Sequence, residues 1–289
     1  MKTFGRWVAC IIYIIAVAAV CGYILFPEET AKRYIIAQIQ RVNPDVAITI
    51  DGVSPMFPPG LRLRGCVLGY RSQDLLRADE IRVFPALLSL PGELKNFSFQ
   101  IDAHSGKIHG RSTVSTAARA PRFEMDAEAG DVQIEYVPLV KALLQNELQG
   151  RLNGRFHYSS NTAQGSILNA RIDINDLAVS LNIPGFSLER ADFEHVQADI
   201  RIDNGRIQVT KLTLSGPILD GRLSGGGVLN RNLWESTIEL KGTLEPKFDQ
   251  IRQSTAPETG GKGPRISVEA MTLPVTIYGA LNNLRFLMK

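Results

Sequence analysis

"VQADIRIDNGRIQV", residues 196–209, carries two alternating runs on either side of one break. Val196, Ala198, Ile200 and Ile202 recur at every second residue, and Ile207 and Val209 resume the pattern after Asn204-Gly205. A period of two puts the apolar residues on one face of a strand. Asn-Gly supplies the positive φ angles of a two-residue turn. The stretch is therefore a β-hairpin with one apolar face.

The same texture spreads in both directions. Toward the N-terminus it appears in "ARIDIND" (170–176), "RFEMDAE" (122–128), "FSFQIDA" (97–103), "DEIRVF" (79–84), "GLRLRGCVLGY" (60–70) and "VAITID" (46–51). Toward the C-terminus it appears in "KLTLSG" (211–216), "STIELKGTLE" (236–245) and "LPVTIYGAL" (273–281). Residues 159–165 form a longer turn. The expected fold is mainly β: a curled, meandering antiparallel sheet, forming a groove, with short helices. Alternation without regular helices between strands excludes an α/β enzyme pattern.

Two helical interruptions are expected. "FPALLSLPGEL" (84–94) is a brief apolar turn closed by Pro91-Gly92. "YVPLVKALLQNEL" (136–148) places Val137, Val140, Leu144 and Leu148 on one side and is predicted to fold back over the strand that follows. Residues 252–264, "RQSTAPETGGKGP", read as a flexible polar loop.

A glycine motif recurs within the strands: "GKIHGR" (106–111), "GRLNGR" (150–155) and, one residue longer, "GPILDGR" (216–222). On a strand Gly106, Ile108 and Gly110 share one face, while Lys107, His109 and Arg111 share the other. Glycines in strands permit bends and close approach. Gly106, Gly110, Gly150, Gly154 and Gly221 are therefore expected at sheet bends. Ile108, Leu152 and, in the third copy, Ile218 or Leu219 are the aliphatic members, with Ile108, Leu152 and Ile218 the candidates for groove lining. A phosphate loop is excluded because none of these stretches opens a helix; even "SGGG" (224–227) runs into "VLNRN".

The chain has 289 residues, with 32 Lys+Arg against 29 Asp+Glu, a net charge of +3. That balance excludes the basic face of a nucleic-acid binder. Three cysteines, Cys10, Cys21 and Cys66, show no metal spacing and no disulfide framework, and Cys66 reads as a small buried residue. His104 and His109 would point to opposite faces of a strand, poor metal geometry, and His109 and His157 read as solvated. The carboxylates alternate with apolar residues, as on the wet face of strands. No serine elbow, Cys–His pattern or His-Glu-x-x-His occurs. The expectation is no enzyme, no catalytic residue, no metal and no cofactor.

From Trp7 to Phe26 there is no charged residue. A helix of that length spans a bilayer core. Trp7, Tyr23 and Phe26 are the candidate anchor residues at its ends. Lys2 and Arg6 before it favour a cytoplasmic N-terminus. A cleaved signal peptide ending at Ala16-Val17-Ala18 is the rival, but the apolar run continues past it. Lipidation at Cys21 is a third option, and "AAVC" lacks the Leu such a site wants. "EETAKRYIIAQIQRV" (28–42) then carries Ala31, Ile35, Ile39 and Val42 at near-helical spacing, between Pro27 and Asn43-Pro44. The expected organisation is a cytoplasmic tip and transmembrane helix at 1–27, a juxtamembrane helix at 28–44 and a β-rich domain at 45–289.

In order along the chain, the anchor, "FPEETAKRYI", "GLRLRGCVLGY", "IRVFPALLSLPGEL", "GKIHG", "YVPLVKALLQNELQGRLNGRF", "GRIQVTKLTLSGPILDGRLSGGGVLN" and "STIELKGTLEP" resemble the type II secretion system protein N family. The texture is also similar to AsmA-like proteins, whose long curled sheets hold a lipid-lined groove. The tail "LPVTIYGALNNLRF" is similar to their closing strands, although Asn283-Leu284 stands where Pro often follows the Asn. The resemblance implies a single-pass protein of the bacterial inner membrane with a periplasmic C-terminal domain. Its partners would be the membrane and other secretion-system envelope proteins. The alternative is a lipid-binding or lipid-transfer groove. Neither family supplies catalytic residues.

Overall fold

Alternating segments that follow one another along the chain satisfy their backbone groups most directly by pairing each strand with the next. The computed structural model of the chain has that arrangement. It describes residues 13, 17, 21, 23–42, 46–70, 73–89, 91–115, 122–143, 148–161, 165–179, 191–230, 232–247, 272–281 and 283–288. The strands are β1 (Val46–Met56), β2 (Gly60–Tyr70), β3 (Gln73–Pro85), β4 (Leu94–Ala103), β5 (Gly106–Ser115), β6 (Arg122–Gln133) and β7 (Leu148–Asn161). They continue as β8 (Gly165–Val179), β9 (Ala191–Asp203), β10 (Arg206–Ser215), β11 (Leu219–Val228), β12 (Thr237–Pro246), β13 (Leu273–Ala280) and β14 (Asn283–Met288). All lie in one antiparallel sheet in sequence order, and the sheet does not close, since β1 and β14 stand at its two ends. Asn204 and Gly205 turn the β9–β10 hairpin with φ of 50° and 82°, as a two-residue primed turn requires.

The alternation does not run straight through every strand. The register slips between Ala129 and Val132 on β6, between Gln149 and Arg151 on β7, and between Val209 and Lys211 on β10. Asp131 and Asp176 take left-handed φ of 54° at two of these slips. Each extra residue shifts the parity of its strand, so that Ala129 and Val132, three apart, both lie on the apolar side.

The helix α1 (Glu28–Val42) has the bounds expected from its sequence. It packs through Ala31, Ile35 and Ile36, joined by Phe26, on a core of Ile50, Val53, Leu63, Cys66, Ala78 and Ala103. Burial and the negative charge of Asp51 push the Cys66 thiol up to about 11, which keeps it protonated and inert. Two further cores lie along the sheet, one around Phe193 and Val196 and one around Val209, Leu223 and Leu240.

α1 also closes one edge of the sheet. Glu28 Oε1 accepts a hydrogen bond from the Val53 N–H at 3.0 Å, and Lys32 Nζ donates to the Asp51 carbonyl at 3.4 Å. Those backbone groups belong to β1, which pairs only with β2. Uncovered strand edges invite pairing with other chains. Glu28→Ala is therefore expected to cost about 1 kcal/mol and to expose the β1 edge. Urea unfolding and light scattering check both effects, and a variant as stable and as monodisperse as wild type would contradict the cap.

The helix expected at 136–148 is shorter than its sequence suggested. A single 3-10 turn (Ile134–Tyr136) leads into α2 (Pro138–Leu143), and β7 begins at Leu148. α2 lies against β3, not over Leu152. The β4–β5 hairpin ends at Ala103 and Gly106, where the His104 carbonyl accepts from the Gln133 N–H at 3.2 Å, so the chain leaving β6 crosses that short hairpin toward β3. Burial and the nearby charges of Arg77 and Lys141 lower the His104 pKa against the opposing pull of Asp79.

Among the described residues no helix is long and apolar enough to cross a membrane. Most of the expected Trp7–Phe26 span, Trp7 included, lies outside the described residues, as does the 252–264 loop. Tyr23 is exposed, and Phe26 packs against the first core.

Candidate functional site

Cross-strand register builds a feature that no single strand contains. Beginning at β1, Pro55, Leu61, Val83, Phe99, Gly110, Ala127 and Phe156 stand opposite one another in succession. The line continues through Ala170, Ile200, Val209, Gly225, Leu240, Ile277 and Phe286 to β14. A polar side chain does not interrupt it. A second line, two residues along each strand (three on β10, where the register slips), begins at Val53, Leu63, Ile81, Ile101 and Ile108. It passes Ala129, Gly154, Ile172, Ala198 and Leu212, and ends at Leu223, Gly242, Val275 and Met288. It too is free of polar side chains. At about 4.8 Å per strand each line runs roughly 60 Å across the sheet.

Among the described residues, α1 and α2 lie mainly against β1 and β3, and the 3-10 turn Ile134–Tyr136 brings Ile134 into a core with β8 and β9. Yet every exposed large apolar residue lies outside these two lines, as with Phe57, Leu94, Val228 and Tyr278. The members of the lines whose burial is described are buried or half-buried, those near β1 partly beneath α1.

The opposite face is polar and laced across strands. Arg155 Nε lies 3.2 Å from Glu128, Arg171 Nε 2.8 Å from Asp199, and His157 Nδ1 2.6 Å from Asp126. His109 Nε2 is 3.4 Å from Glu128. These groups are largely exposed, so each pair contributes about 0–1 kcal/mol. His109 and His157 thus sit on the wet face, as their alternation implied.

The expected site residues fall into two sets. Ile108 stands in the second apolar line, between Ile101 and Ala129. Leu152 lies further along β7, against the core of Ile134, Leu177, Phe193 and Val196. In the third repeat Leu219, not Ile218, packs into that core. Ile218 precedes β11, and its carbonyl accepts from the Lys247 N–H at 2.7 Å. The inserted residue shifts the parity of the third copy, which is why the aliphatic position moves by one.

The five glycines expected at bends also divide. Gly150 alone coincides with a register slip. The other four stand in regular pairing on the apolar face and make room for a neighbour. A Cβ on Gly154 would meet the Phe156 ring at 3.0 Å, and one on Gly221 would meet Leu244 at 2.8 Å. A Cβ on Gly106 would fall 2.6 Å from the Val132 backbone. Sequence reasoning missed this because the filling groups Phe99, Val132 and Leu244 lie on other strands; only Gly154-x-Phe156 carried a local signal. It also missed Glu28, whose partner is 25 residues away.

Among the described residues no cluster of His, Cys, Asp and Glu has the geometry to hold a metal ion. No protein-family model, no curated protein and no solved structure matches this chain.

Proposed function

We propose that the chain is a non-catalytic, membrane-anchored envelope protein whose sheet curls around its apolar face to form a groove for lipid acyl chains. The observation that carries this is the pair of polar-free lines crossing all fourteen strands. Beyond the stretch that α1 covers, neighbouring strands leave many members of these lines only half-buried, and the apolar area left over favours an apolar occupant. A polar headgroup cannot sit on such a surface, whereas extended acyl chains lying end to end along it share its lack of hydrogen-bonding groups. The charge-free run from Trp7 to Phe26 supports anchoring beside the source of such lipid. The resemblance to AsmA-like proteins supports the same reading.

Protein purified from membranes is expected to carry phospholipid, detected by organic extraction and mass spectrometry. Ile108→Asp is expected to keep the β circular-dichroism spectrum and lose most of that lipid. Lipid-free wild-type protein, or an Ile108→Asp protein that is folded and fully loaded, would sink the proposal.

A second reading rests on the edges. α1 covers the β1 edge, whereas among the described residues nothing pairs with the outer edge of β14. Strand addition at β14 would suit a component of a type II secretion assembly, the role implied by the protein N resemblance. Pull-down of secretion-system envelope proteins, abolished by Phe286→Pro, distinguishes this role from lipid carriage.

A further inference from the structure

The polar face holds a concavity of about 1000 Å³ between β3 and β10. Its floor is backbone, at Gly110, Ala127 and Ala170, whose own side groups face the other way. Its walls are two cross-strand rows of polar side chains, one through Gln100, His109 and Glu128 and the other through Ser98, Arg111 and Asp126. The rows are two residues apart, about 7 Å, and cross β4–β9, about 24 Å at the ordinary strand spacing. A second hollow of about 490 Å³ shares Gln100 and His109 and extends the first toward Asp102 and Lys107. The space is long, shallow and one polymer chain wide.

Its chemistry narrows the occupant. Four arginines line it against Asp126, Glu128 and Asp199, so the charges nearly cancel. Arg155, Arg171 and Arg201 already hold carboxylates. That arrangement is unsuited to a polyanion, which needs uncompensated positive charge. A peptide strand has nothing to pair with, because the floor backbone is engaged within the sheet on both sides. Ser98, Gln100, Arg111 and Asn169 make no hydrogen bond or ion pair with another described residue. They offer a hydroxyl, two amides and a guanidinium, donors and acceptors together. Phe84 stands opposite Ser98 and in line with Arg111, and bare Gly60 on its other side leaves the ring room. An apolar ring face beside mixed donors and acceptors matches a pyranose, which has C–H faces and a rim of hydroxyls that both donate and accept.

We infer that this trough binds an extended neutral oligosaccharide, with Phe84, Ser98, Gln100 and Arg111 forming one sugar subsite and Asn169 contributing to another. The site is separate from the apolar face and does not depend on its occupant.

The test is calorimetric titration of the full chain in detergent with neutral hexasaccharides: cellohexaose, mannohexaose and the β-1,4-linked N-acetylglucosamine hexamer. Inositol hexakisphosphate serves as the polyanion control. At least one hexasaccharide is expected to bind, with affinity nearly unchanged when salt is raised from about 50 to about 500 mM, where exposed charge pairs are screened. Phe84→Ala and Arg111→Ala are each expected to weaken it about tenfold or more, a loss of about 1.4 kcal/mol. Asn169→Ala, a change at a half-buried polar site remote from Phe84, guards against a Phe84 variant that fails to fold and is expected to weaken binding too. Binding of the polyanion alone, binding of no hexasaccharide, or wild-type affinity in the folded variants would each overturn the inference. Lipid content should not change in any of the three variants, so failure here and failure of the acyl-chain groove remain distinguishable.

Discussion

Leu152→Asp is expected to unfold the sheet. Leu152 packs in the core shared by the 3-10 turn after β6 and by β7, β8, β9 and β10, against Ile134, Ile174, Leu177 and Val196. Ile134 and Val196 are almost fully buried there. The residues that pack around that position are apolar, so a carboxylate there is taken out of water. Burying an unpaired charge costs several kcal/mol, even when it protonates to escape. Removing the Leu side chain alone costs about 2 kcal/mol or more, so Leu152→Ala separates the loss of packing from the cost of the charge. With a typical stability of about 5–15 kcal/mol, the aspartate variant should show a strongly lowered melting temperature or no cooperative transition by circular dichroism. The contrast with Ile108→Asp is the informative part. Both residues are aliphatic members of the same glycine motif, but Ile108 belongs to the apolar line proposed to hold lipid, whereas Leu152 packs against the core of Ile134, Leu177, Phe193 and Val196. A Leu152→Asp protein that melts like wild type would mean that the second core is open to water, and would extend the proposed groove past β7.

Gly110→Val is the second large effect. A Cβ at this position would lie 2.2 Å from the Asp126 carbonyl oxygen and 2.6 Å from Phe99 Cζ. The first contact is with backbone, so a rotamer change cannot relieve it; β5 and β6 must move apart or twist. Overpacking of this kind costs about 1–3 kcal/mol. For a chain of this size each kcal/mol lowers the melting temperature by about 2–4 °C, so a drop of several degrees is expected. The Phe99 share can be measured. Gly110→Ala should cost less when combined with Phe99→Ala than its single effect predicts, because the ring is then gone while the carbonyl remains. Strictly additive effects would assign the whole cost to backbone, and wild-type melting of Gly110→Val would remove the close-approach role altogether.

The local pattern of this chain was legible in the sequence because it depends on near neighbours. Alternation in 196–209 settles which side chains share a face, since successive Cβ atoms point to opposite sides of a strand. Asn204-Gly205 specifies its turn through the φ angles those two residues tolerate. Pro27 and Asn43-Pro44 bound α1 for similarly local reasons, and the structure places the helix at Glu28–Val42. A mainly β chain follows from such alternating segments, and the structure pairs them as consecutive antiparallel strands.

What alternation leaves open is where one strand meets the next. A slip of a single residue reverses the faces of a strand, and the slips at Ala129–Val132 on β6 and Val209–Lys211 on β10 are set by contacts across strands. The two polar-free lines exist only once every register is settled, which is why fourteen separate alternations did not disclose them. The roles of Gly110 and Glu28 were hidden for the same reason. Gly110 is small because a ring from β4 and a carbonyl from β6 occupy its space, and Glu28 seals an edge formed by a strand 25 residues further on. The helix expected at 136–148 begins later than its apolar spacing suggested, since a 3-10 turn over Ile134–Tyr136 precedes it, and α2 lies against β3 through contacts between distant parts of the chain. Sequence determined the faces and the turns through covalent geometry and nearest neighbours; tertiary structure determined the registers, and with them the surfaces available for binding, because those are properties of side chains brought together from different strands.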